Sequence, residues 1–311
     1  MLKMAQNIDQ KIKKIFGNEL RENVRISDYT TMKVGGPARF LYVAKKIEDL
    51  IKGVIFCQEE KIPYIVLGGG SNIIADDKGY DGMIILNRSG NISFISDKSQ
   101  VIIDSGVSLM RLIVEAANRD FGGLENLYGI PGTVGGALYG NAGSHGAEIT
   151  SFIKSVTLLL GNNKIIRVKP EWLEAGYRMT KLKKMKISGK NTPIILSVTL
   201  QLARRKKEEI LRKLQYYKSL REEKQPYNFA SAGSVFKNAG TEKEKTAGYI
   251  LEAVGAKKLK VGGAEVSRKH ANFVINAKDA TSSDVKNLIS EMKNLAHDKY
   301  GVELEKEVEY I

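Results

Sequence analysis

Residues 127–149 read LYGIPGTVGGALYGNAGSHGAEI, and this glycine-rich stretch decides the fold. It places seven glycines among small residues, at 129, 132, 135, 136, 140, 143 and 146. Because glycine weakens the interior of helices and strands, we predict that the segment forms neither an ordinary helix nor an ordinary strand. It favours a backbone wrapped closely around a flat ligand, with Thr133 and Asn141 as polar contacts. A collagen or linker interpretation fails, because the glycines have no period and apolar residues lie between them.

Two shorter glycine segments lie upstream. LGGGSNII at 67–74 follows the strand-like run YIVL, and three glycines in a row can present successive backbone N–H groups to a phosphate. A tight turn explains the same residues equally well, so both interpretations stay open at this point. The run is neither a Rossmann fingerprint, which needs a third spaced glycine, nor a P-loop, which needs a following Gly-Lys-Ser/Thr. With TTMKVGGPARF at 30–40 the chain has three separate glycine segments, and this number favours a large cofactor.

Hydrophobic periodicity predicts both helices and strands around these segments. The predicted helices lie at 1–22, 47–61, 108–120, 204–224 and 246–255, and after a capping box formed by Thr281 and Asp284. Ser108 is the predicted N-cap of the third helix and Gly122 its stop. The predicted strands lie at 39–44, 64–67, 83–86, 91–96, 101–106, 155–160, 165–168, 194–203, 272–276 and 301–311. The strongly charged helix ended by Pro226 indicates a domain boundary.

Composition limits the class of function. The formal net charge is +14, from 49 Lys and Arg against 35 Asp and Glu. Such a charge suits RNA, an anionic membrane or a phosphate-rich substrate, but the lysines are spread along the chain without an RNA-binding motif. We therefore expect a solvated lysine-rich surface and no nucleic-acid partner. Cys57 is the only cysteine and the three histidines lack metal-ligand spacing, so we expect neither a disulfide nor a metal site. Without a signal peptide or an apolar run of ~20 residues, we expect a cytoplasmic protein with no membrane insertion.

Three further segments contain residues that suit chemistry at a bound ligand. In FASAGSVFKNAG at 229–240, Ser234 lies in a glycine-containing loop without a G-x-S-x-G elbow, so a turn residue is the simple interpretation. In the predicted final strand, glutamates at 303, 305, 307 and 309 share one face, and a solvated edge accounts for three of the four. GYRMT at 176–180 carries Arg178, which its spacing alone does not distinguish.

Taken together and in this order, the segments resemble the UDP-N-acetylenolpyruvoylglucosamine reductase family. The shared motifs are TTMKVGGPA, LGGGSN, GIPGTVGGA with NAGSHG, YR followed by a hydroxyl residue, AGSVFKN, VGGAEVSRKHANFVIN and LEKEV. The resemblance covers about residue 25 to the end. Each motif is weak by itself, but their joint ordered occurrence is specific.

The resemblance implies an α+β chain. Its expected parts are a two-subdomain FAD-binding fold of the vanillyl-alcohol-oxidase (PCMH) type and a C-terminal α/β substrate domain. The implied division is a helix at 1–24, FAD-binding subdomains at 25–90 and 91–209, and a substrate domain at 210–311 with a terminal catalytic strand. The chain has 311 residues and no room after residue 180 for a substrate-capping insertion, so it resembles the shorter form of the family.

The implied activity is NADPH-dependent reduction of UDP-N-acetyl-3-O-(1-carboxyvinyl)-glucosamine to UDP-N-acetylmuramate via non-covalent FAD, a step of peptidoglycan precursor synthesis. NADPH reduces the flavin and leaves, and hydride then passes to the enol ether. By resemblance, Arg178 and Glu307 stabilise negative charge on the substrate carboxylate, and Ser234 protonates the adjacent carbon. Burial would raise the pKa of Glu307, so that it donates a hydrogen bond while protonated. We expect a UDP-sugar as the small-molecule partner, and a monomer.

The predicted binding residues follow the same motifs. The cofactor-binding residues are Val34, Gly35, Gly36, Gly68, Gly69, Gly70, Ser71, Asn72, Gly132, Thr133, Gly135, Gly136, Asn141, Ala142 and Gly143. The substrate-binding residues are Asn238, Lys237, Lys224 and Arg268, of which the three basic ones are assigned to the diphosphate.

The chain departs from the family pattern in three ways. The family commonly has proline where Ala230 and Ala239 stand, which loosens the preorganisation around Ser234, and commonly has serine where Thr180 keeps the hydroxyl. The chain also has LYGNAG where the family more usually has a methionine before Asn141. Two other functions remain as alternatives. A flavoprotein oxidase on the same scaffold shares the glycine segments but needs neither AGSVFKN nor LEKEV, and a basic RNA-binding or scaffold protein has no flavin and no colour.

Overall fold

The computed structural model describes residues 2–188 and 192–311. Met1 and residues 189–191, which belong to the predicted 1–24 and 91–209 regions, lie outside the described residues. Packing divides the chain into two units. The first unit contains the described part of Met1–Val24, together with Arg39–Gly68 and Asp81–Lys218, and the second contains Arg25–Ala38, Gly69–Tyr80 and Ser219–Ile311.

The α-helices are numbered along the chain. They are α1 (Leu2–Phe16), α2 (Ile47–Glu59), α3 (Leu109–Ala117), α4 (Val134–Tyr139), α5 (Lys181–Ile187), α6 (Lys207–Lys224), α7 (Ala247–Ala253) and α8 (Ser282–Tyr300). Hydroxyl side chains begin several of them, because the first N–H groups of a helix have no partner within it. Ser108 caps α3, Thr180 caps α5, Thr246 caps α7, and Thr281 forms a capping box with Asp284 at α8.

The strands of the first unit form two larger sheets. The first sheet has the order β1 (Leu20–Arg25), β2 (Pro37–Ala44), β5 (Tyr80–Asn87) and β3 (Tyr64–Leu67), with β3 and β5 parallel. The second is antiparallel, in the order β12 (Ile165–Val168), β11 (Ile153–Leu159), β13 (Ile194–Gln201), β7 (Gln100–Asp104) and β6 (Ile92–Ile95). Short antiparallel pairs join β8 (Phe121–Gly122) to β14 (Ala203–Arg204) and β9 (Gly143–Ser144) to β10 (Ala147–Glu148).

The core of the first unit follows from one apolar face on each helix. Leu50 and Val54 of α2, four residues apart, pack with the alternate side chains Phe40 and Tyr42 of β2. Against the second sheet, α3 buries residues at helical spacing, namely Leu109, Leu112, Ile113 and Ala116. This second core also contains Leu127, Val134 and Leu138, so the glycine-rich stretch is anchored by its few large residues.

The second unit has an antiparallel sheet of its own. Its order is β15 (Ala230–Ser234), β18 (Phe273–Asn276), β17 (Ala264–Val266) and β16 (Lys260–Val261), and α7 and α8 pack with it around one apolar core. A separate parallel pair joins β4 (Ile73–Ile74) to β19 (Glu309–Tyr310). Residues from the glycine segments, Met32, Val34 and Ile74, belong to the same apolar core as the sheet.

Most of the predicted elements are confirmed, and five predictions are wrong in informative ways. The first helix ends at Phe16, not at 22, because Gly17 takes a left-handed φ of +51° and Leu20 begins a strand. The third helix ends at Ala117, and Gly122 lies in β8. Residues 230–234 of the predicted serine loop form β15. Of the predicted strand 301–311, only Glu309–Tyr310 is regular, because 305–307 pair with an irregular segment instead.

The glycine-rich stretch gives the fifth correction. We predicted that it forms no ordinary helix, yet Val134–Tyr139 is the helix α4. Thr133 caps it, and a Cβ added to Gly135 would lie 2.8 Å from the Cβ of Ser105. Close packing therefore requires glycine at this position and offsets its poor helix propensity. Among the described residues, no helix is both long enough and apolar enough to cross a membrane.

Candidate functional site

In the first unit two glycine segments meet at Thr133. A Cβ added to Gly68 would lie 2.4 Å from the hydroxyl oxygen of Thr133, so the backbone after β3 approaches that side chain as only glycine permits. The same hydroxyl oxygen accepts a hydrogen bond from the N–H of Gly136 at 3.2 Å. The end of β3 and the start of α4 thus form one small surface built largely from backbone.

The first N–H groups of α4 already have protein partners. Val134 donates to the carbonyl of Val107 and Gly135 to the carbonyl of Ser105, each at 2.8 Å. Anion binding at the helix N-terminus would compete with these bonds. Gly136 differs from its neighbour, because the nearest atom to an added Cβ would be the Thr133 oxygen at 3.5 Å. The surface therefore leaves space beside Gly136, where a flat ligand can approach the backbone.

Asn141 is fully buried, and its side chain is bound by protein on both ends. Its Nδ2 donates to Glu148 Oε2 at 2.8 Å and to the carbonyl of Gly176 at 2.9 Å. Its Oδ1 accepts from Thr150 Oγ1 at 2.8 Å. The side chain therefore ties the 132–143 segment to the turn that begins at Gly176. The assignment of Asn141 as a cofactor contact stays a prediction. Because its side chain is bonded to protein groups, we assign that contact to its backbone.

Arg178 lies in that turn and reaches back to the glycine segment. The turn is closed by hydrogen bonds between Gly176 and Met179, at 2.9 and 3.0 Å. Arg178 Nη2 donates to the carbonyl of Gly143 at 2.7 Å, and the residue has a φ of +53°. A left-handed φ is uncommon for a residue with a long side chain and marks local strain. The guanidinium group is thus fixed on the first unit at a defined place.

In the second unit the other glycine segments meet. A Cβ on Gly36 would lie 2.1 Å from the carbonyl oxygen of Asp77, and one on Gly70 would lie 2.2 Å from that of Tyr29. Gly70 also takes a left-handed φ of +61°, and its carbonyl accepts from the N–H of Thr31 at 3.1 Å. Backbone here packs on backbone. The run of three glycines is divided, since Gly68 belongs to the first unit and Gly69 and Gly70 to the second.

Asp77 anchors this loop on the start of α8. Its Oδ1 accepts from the N–H of Ser282 at 2.7 Å and its Oδ2 from that of Ser283 at 3.0 Å, while the Asp77 N–H donates to Ser282 Oγ at 3.0 Å. Burial of the carboxyl acts to raise its pKa, but the hydrogen bonds from the two serines outweigh burial. The pKa of Asp77 is therefore below its usual value.

Ser234 stands at the end of β15, opposite Phe273, where the strand is irregular. The pairing register shifts between Ser231 and Ser234, and Gly233 between them has a φ of +79°. A bulge of this kind redirects the side chain that follows it. After Ser234 the chain leaves the sheet, and Val235 donates to the carbonyl of Asn272 at 2.9 Å.

Glu307 lies beside the segment that follows Ser234. The Glu307 N–H donates to the carbonyl of Val235 at 2.8 Å, and an antiparallel bridge pairs Phe236 with Lys306. The structure thus brings two of the three predicted catalytic residues, Ser234 and Glu307, onto adjacent segments of the second unit. The third, Arg178, belongs to the first unit.

The predicted substrate-binding residues are spread over the second unit. Lys237 is only 8% exposed, and its Nζ lies 2.5 Å from Oε1 of Glu305, which we interpreted as a solvated edge residue. Asn238 Oδ1 accepts from the N–H of Ala247 at 3.1 Å and so supports α7. Lys224 is exposed at the end of α6.

Arg268 lines an open depression in the surface of the second unit. The depression has a volume of about 540 Å³, and Tyr227 and Phe229, both about half exposed, also line it.

Sequence reasoning missed two buried polar residues near these positions. Asn272 accepts from the N–H of Phe236 at 2.9 Å and donates to its carbonyl at 2.8 Å, and thereby fixes the segment after Ser234. Arg221 on α6 is 6% exposed. Neither has a spacing that distinguishes it, although a buried arginine in a charged helix is unusual. Cys57 behaves as expected for a small core residue, since burial raises its pKa to about 12.

Profiles of known protein families match two parts of the chain. Residues 38–169 match an FAD binding domain, and residues 225–311 match the C-terminal domain of UDP-N-acetylenolpyruvoylglucosamine reductase. The first match includes the 68–72 and 132–143 segments, where the space beside Gly136 and the backbone surface at Thr133 fit a bound flavin nucleotide.

Whole-chain relatives agree with both matches. A UDP-N-acetylenolpyruvoylglucosamine reductase from Anoxybacillus flavithermus is 36% identical over 94% of this chain and 94% of its own length. One from Clostridium novyi is 36% identical over 99% of this chain and 98% of its own length. The crystal structure of the Thermus caldophilus reductase is similar, with a TM-score of 0.77 at 33% identity, over 94% of this chain and 99% of that one. These matches confirm the predicted α+β fold, an FAD-binding domain of the vanillyl-alcohol-oxidase type with a C-terminal domain.

Proposed function

This chain belongs to the UDP-N-acetylenolpyruvoylglucosamine reductase family, and from that premise we propose which of its residues perform the reaction. The protein is an FAD-dependent oxidoreductase that reduces UDP-N-acetyl-3-O-(1-carboxyvinyl)-glucosamine to UDP-N-acetylmuramate, in the synthesis of peptidoglycan precursors. Bound FAD supplies the hydride transfer from NADPH to the enol ether. The residues of this chain must then bind the anionic substrate, stabilise its developing charge and deliver a proton.

Arg178 and Glu307 are the groups that we assign to the substrate carboxylate. Negative charge grows on its oxygens during the reaction, and fixed donors aimed at such charge typically contribute about 10²–10³ in rate. Arg178 suits this task because its guanidinium group is held by the carbonyl of Gly143. Glu307 suits it when protonated, because a neutral carboxyl donates a hydrogen bond without repelling the anion.

Ser234 is our proposed proton donor. One observation carries this assignment: Glu307 donates its N–H to the carbonyl of Val235, so the residue next to Ser234 and the residue assigned to the carboxylate are bonded directly. A donor and a carboxylate-binding group on adjacent segments can serve neighbouring atoms of one substrate. Serine is a weak acid, but the carbon that it protonates is strongly basic once hydride has been added.

The proposed binding residues remain those of the sequence motifs. For FAD they are the glycine segments from Val34 to Gly36, Gly68 to Asn72 and Gly132 to Gly143, with open space beside Gly136. For the substrate they are Asn238, Lys237, Lys224 and Arg268. In this proposal Lys237 is paired with Glu305, and the incoming diphosphate competes with that carboxylate for the ammonium group.

The division of the chain into 1–24, 25–90, 91–209 and 210–311 stays a proposal. The separate sheets over 20–87, 92–201 and 230–276 support it. Packing, however, groups residues 25–38 and 69–80 with the second unit.

We also propose that the protein is cytoplasmic, because the nucleotide-linked substrate and NADPH are both made in the cytoplasm. We propose in addition that it is a monomer.

The test separates the two half-reactions. In Ser234→Ala, reduction by NADPH should proceed at nearly the normal rate, since no carbon is protonated in that step. Reoxidation by the enolpyruvyl substrate should slow by about 10²–10⁴, the usual effect of a lost general acid. Stopped-flow absorbance of the flavin under anaerobic conditions follows both steps. The purified protein should be yellow, with one FAD per chain that heat releases completely.

Two further variants sharpen the test. Ser234→Cys should recover part of the rate, because a thiol is a stronger acid of similar length. Ser231→Ala is the matched control, since Ser231 lies in the same strand, and its pairing with Ile275 and the bond from Thr31 to its carbonyl both involve its main chain. Equal slowing of both half-reactions in Ser234→Ala would make Ser234 a structural turn residue. A covalent flavin would favour an oxidase instead.

A further inference from the structure

Residues 305–311, which we call the closing segment, lie between two other segments of the second unit. On one side the closing segment pairs with residues 235–237, which follow Ser234. Lys237 donates its N–H to the carbonyl of Glu305 and Glu307 donates to that of Val235, both at 2.8 Å. The position of the Glu307 backbone is therefore coupled to the position of the proposed proton donor.

On its other side the closing segment pairs in parallel with residues 72–76. The N–H of Glu309 donates to the carbonyl of Asn72 at 2.9 Å, and that of Ile311 to the carbonyl of Ile74 at 3.1 Å. Asp76 returns a bond to the carbonyl of Ile311 at 2.8 Å. Residues 72–76 continue directly from the glycine run, so the closing segment joins the proposed cofactor loop to the segment after Ser234.

Apolar side chains fix the closing segment in place. Leu304 and Val308, 3% and 5% exposed, flank the Glu307 backbone and are buried in the core of the second unit. Ile74 and Phe236, each 1% exposed, are buried in the same core from the two partner segments. All three segments are therefore anchored in one close-packed core, which limits the movement of their backbones.

Asn72 contributes a side-chain hydrogen bond within this arrangement, and that bond acts on the main chain of Glu307. Its Nδ2 donates to the carbonyl oxygen of Glu307 at 3.0 Å. Glu307 is then held at both main-chain groups, by Val235 at its N–H and by Asn72 at its carbonyl. Fixing both groups of one residue fixes the direction of its Cα–Cβ bond, and so the region that its carboxyl can reach.

We propose that Asn72 is a positioning residue for Glu307. Its amide sets the direction of the carboxyl that meets the substrate, and so links the glycine loop to the half-reaction in which substrate is reduced. This inference rests on the role proposed above for Glu307. It gives the Asn72 side chain a task distinct from the backbone contacts with the cofactor expected from the sequence.

The variant Asn72→Asp tests the inference with almost no change in shape. It replaces the donating NH₂ group with an oxygen that repels the Glu307 carbonyl. In protein loaded to one FAD per chain, we expect reduction by NADPH to slow less than reoxidation by the enolpyruvyl substrate. Reoxidation by the enolpyruvyl substrate should slow by about 10–100-fold, the typical result of misplacing a reacting group by about 1 Å.

A pH series provides a signature that a merely structural role lacks. A protonated aspartic acid can again donate to the Glu307 carbonyl, and an aspartyl group has an ordinary pKa of about 3.9. The ratio of the Asn72→Asp reoxidation rate to the wild-type rate should therefore rise as the pH falls from 7 towards about 5. For Asn72→Ala, which has no group to protonate, the ratio should stay low and flat.

Hydrogen exchange supplies a measurement that does not depend on activity. Backbone amides of peptides that cover 305–311 should exchange faster in Asn72→Asp and Asn72→Ala than in the wild type. Gln201→Glu is the matched control, because the exposed Gln201 donates through its amide to the carbonyls of Lys98 and Ser99 in the first unit. That variant should leave reoxidation, the pH ratio and the exchange of 305–311 unchanged.

The inference is overturned by any of three results. These are an equal loss in both half-reactions, a loss of rate in proportion to lost FAD, or unchanged exchange of 305–311 in both variants. If Asn72→Asp does not fold, the uncharged Asn72→Ala decides through its half-reactions and exchange. Failure of the wild-type protein to be reoxidised by the enolpyruvyl substrate would refute the proposed function instead, and the exchange data would still test the Asn72 contact.

Discussion

The two units hold their glycine segments in different ways. In the first, Asn141 ties the 132–143 segment to partners 7, 9 and 35 residues away, with three hydrogen bonds on one buried side chain. In the second, residues 69–77 are bonded to α8 and the closing segment, 205 to 237 residues away. In the first unit, the stabilising hydrogen bonds belong to one residue, Asn141, and its partners are close to it in the sequence. The second unit spreads its stability over many bonds that each require a long loop to close.

This difference predicts how each unit responds to damage. In the first unit, a single substitution at Asn141 should lower the free energy of unfolding strongly. In the second unit, each single substitution should lower it only moderately. Trp172, the only tryptophan, packs against the core of the first unit and reports its unfolding separately. Hydrogen exchange of α8 reports the second unit.

The largest effect is expected for Asn141→Ala. The variant removes three buried hydrogen bonds, one of them to the Glu148 carboxylate, and neutral and charged bonds contribute about 1 and 1.5–3 kcal/mol each. The free energy of unfolding followed by Trp172 fluorescence should fall by about 3–5 kcal/mol. Asn162→Ala, an exposed turn residue of the same unit, should change it by less than about 0.5 kcal/mol. A cost below about 1 kcal/mol for Asn141→Ala would remove the contrast between the units.

A chain that stops at Val308 should show an intermediate effect, confined to the second unit. It loses the three backbone hydrogen bonds of Glu309, Ile311 and Asp76, worth about 2–4 kcal/mol together. Amide exchange of α8 should accelerate, while the Trp172 transition stays in place. Equal shifts of α8 exchange and of the Trp172 transition would mean that the two units unfold together. The difference between the units would then be a difference in contacts and not in stability.

The smallest effect is expected for Asp77→Asn, and it depends on pH. The folded pKa of Asp77 is below its unfolded value of about 3.9, so ionised Asp77 stabilises the fold above that pH. The stabilisation should be about 1 kcal/mol at pH 7, as for a helix cap, and disappear as the pH falls through the folded pKa. Unfolding by urea at pH 7, 4 and 3 measures the difference. A difference between Asp77→Asn and the wild type that stays constant from pH 7 to pH 3 would contradict the assignment.

The same contrast explains how far the sequence could predict this structure. Local signals were sufficient for most elements: the capping box of Thr281 and Asp284 and the N-cap Ser108 are where their spacing places them. The motifs also led us to predict Ser234 and Glu307 as site residues; the fold brings them onto adjacent segments, and their roles stay predictions. The confirmed caps depend on residues whose partners are near in the chain.

The failures have their causes in distant contacts. Asp77 gave no signal, because its partners Ser282 and Ser283 are about two hundred positions away. The helix α4 was not expected, because Gly135 is required by its approach to Ser105, which a propensity scale does not contain. Glu305 was interpreted as a solvated edge residue, and its side chain is indeed 70% exposed, but nothing in the sequence indicated its ion pair with Lys237. In each case the missing information is a tertiary contact, which local preferences do not contain.

The long reach of the closing segment also has a consequence for synthesis on the ribosome. Residues 72–76 emerge early, but their partners at 309–311 are made after all of the first unit. At about 5–20 residues per second this interval lasts roughly 10–50 s. During this interval residues 72–76 have an unpaired strand edge, because residues 309–311 are not yet made. Residues 81–218 can fold within the same interval. Chaperones that bind exposed strands would protect residues 72–76 in particular, and synonymous codons that slow translation after residue 218 would lengthen their exposure.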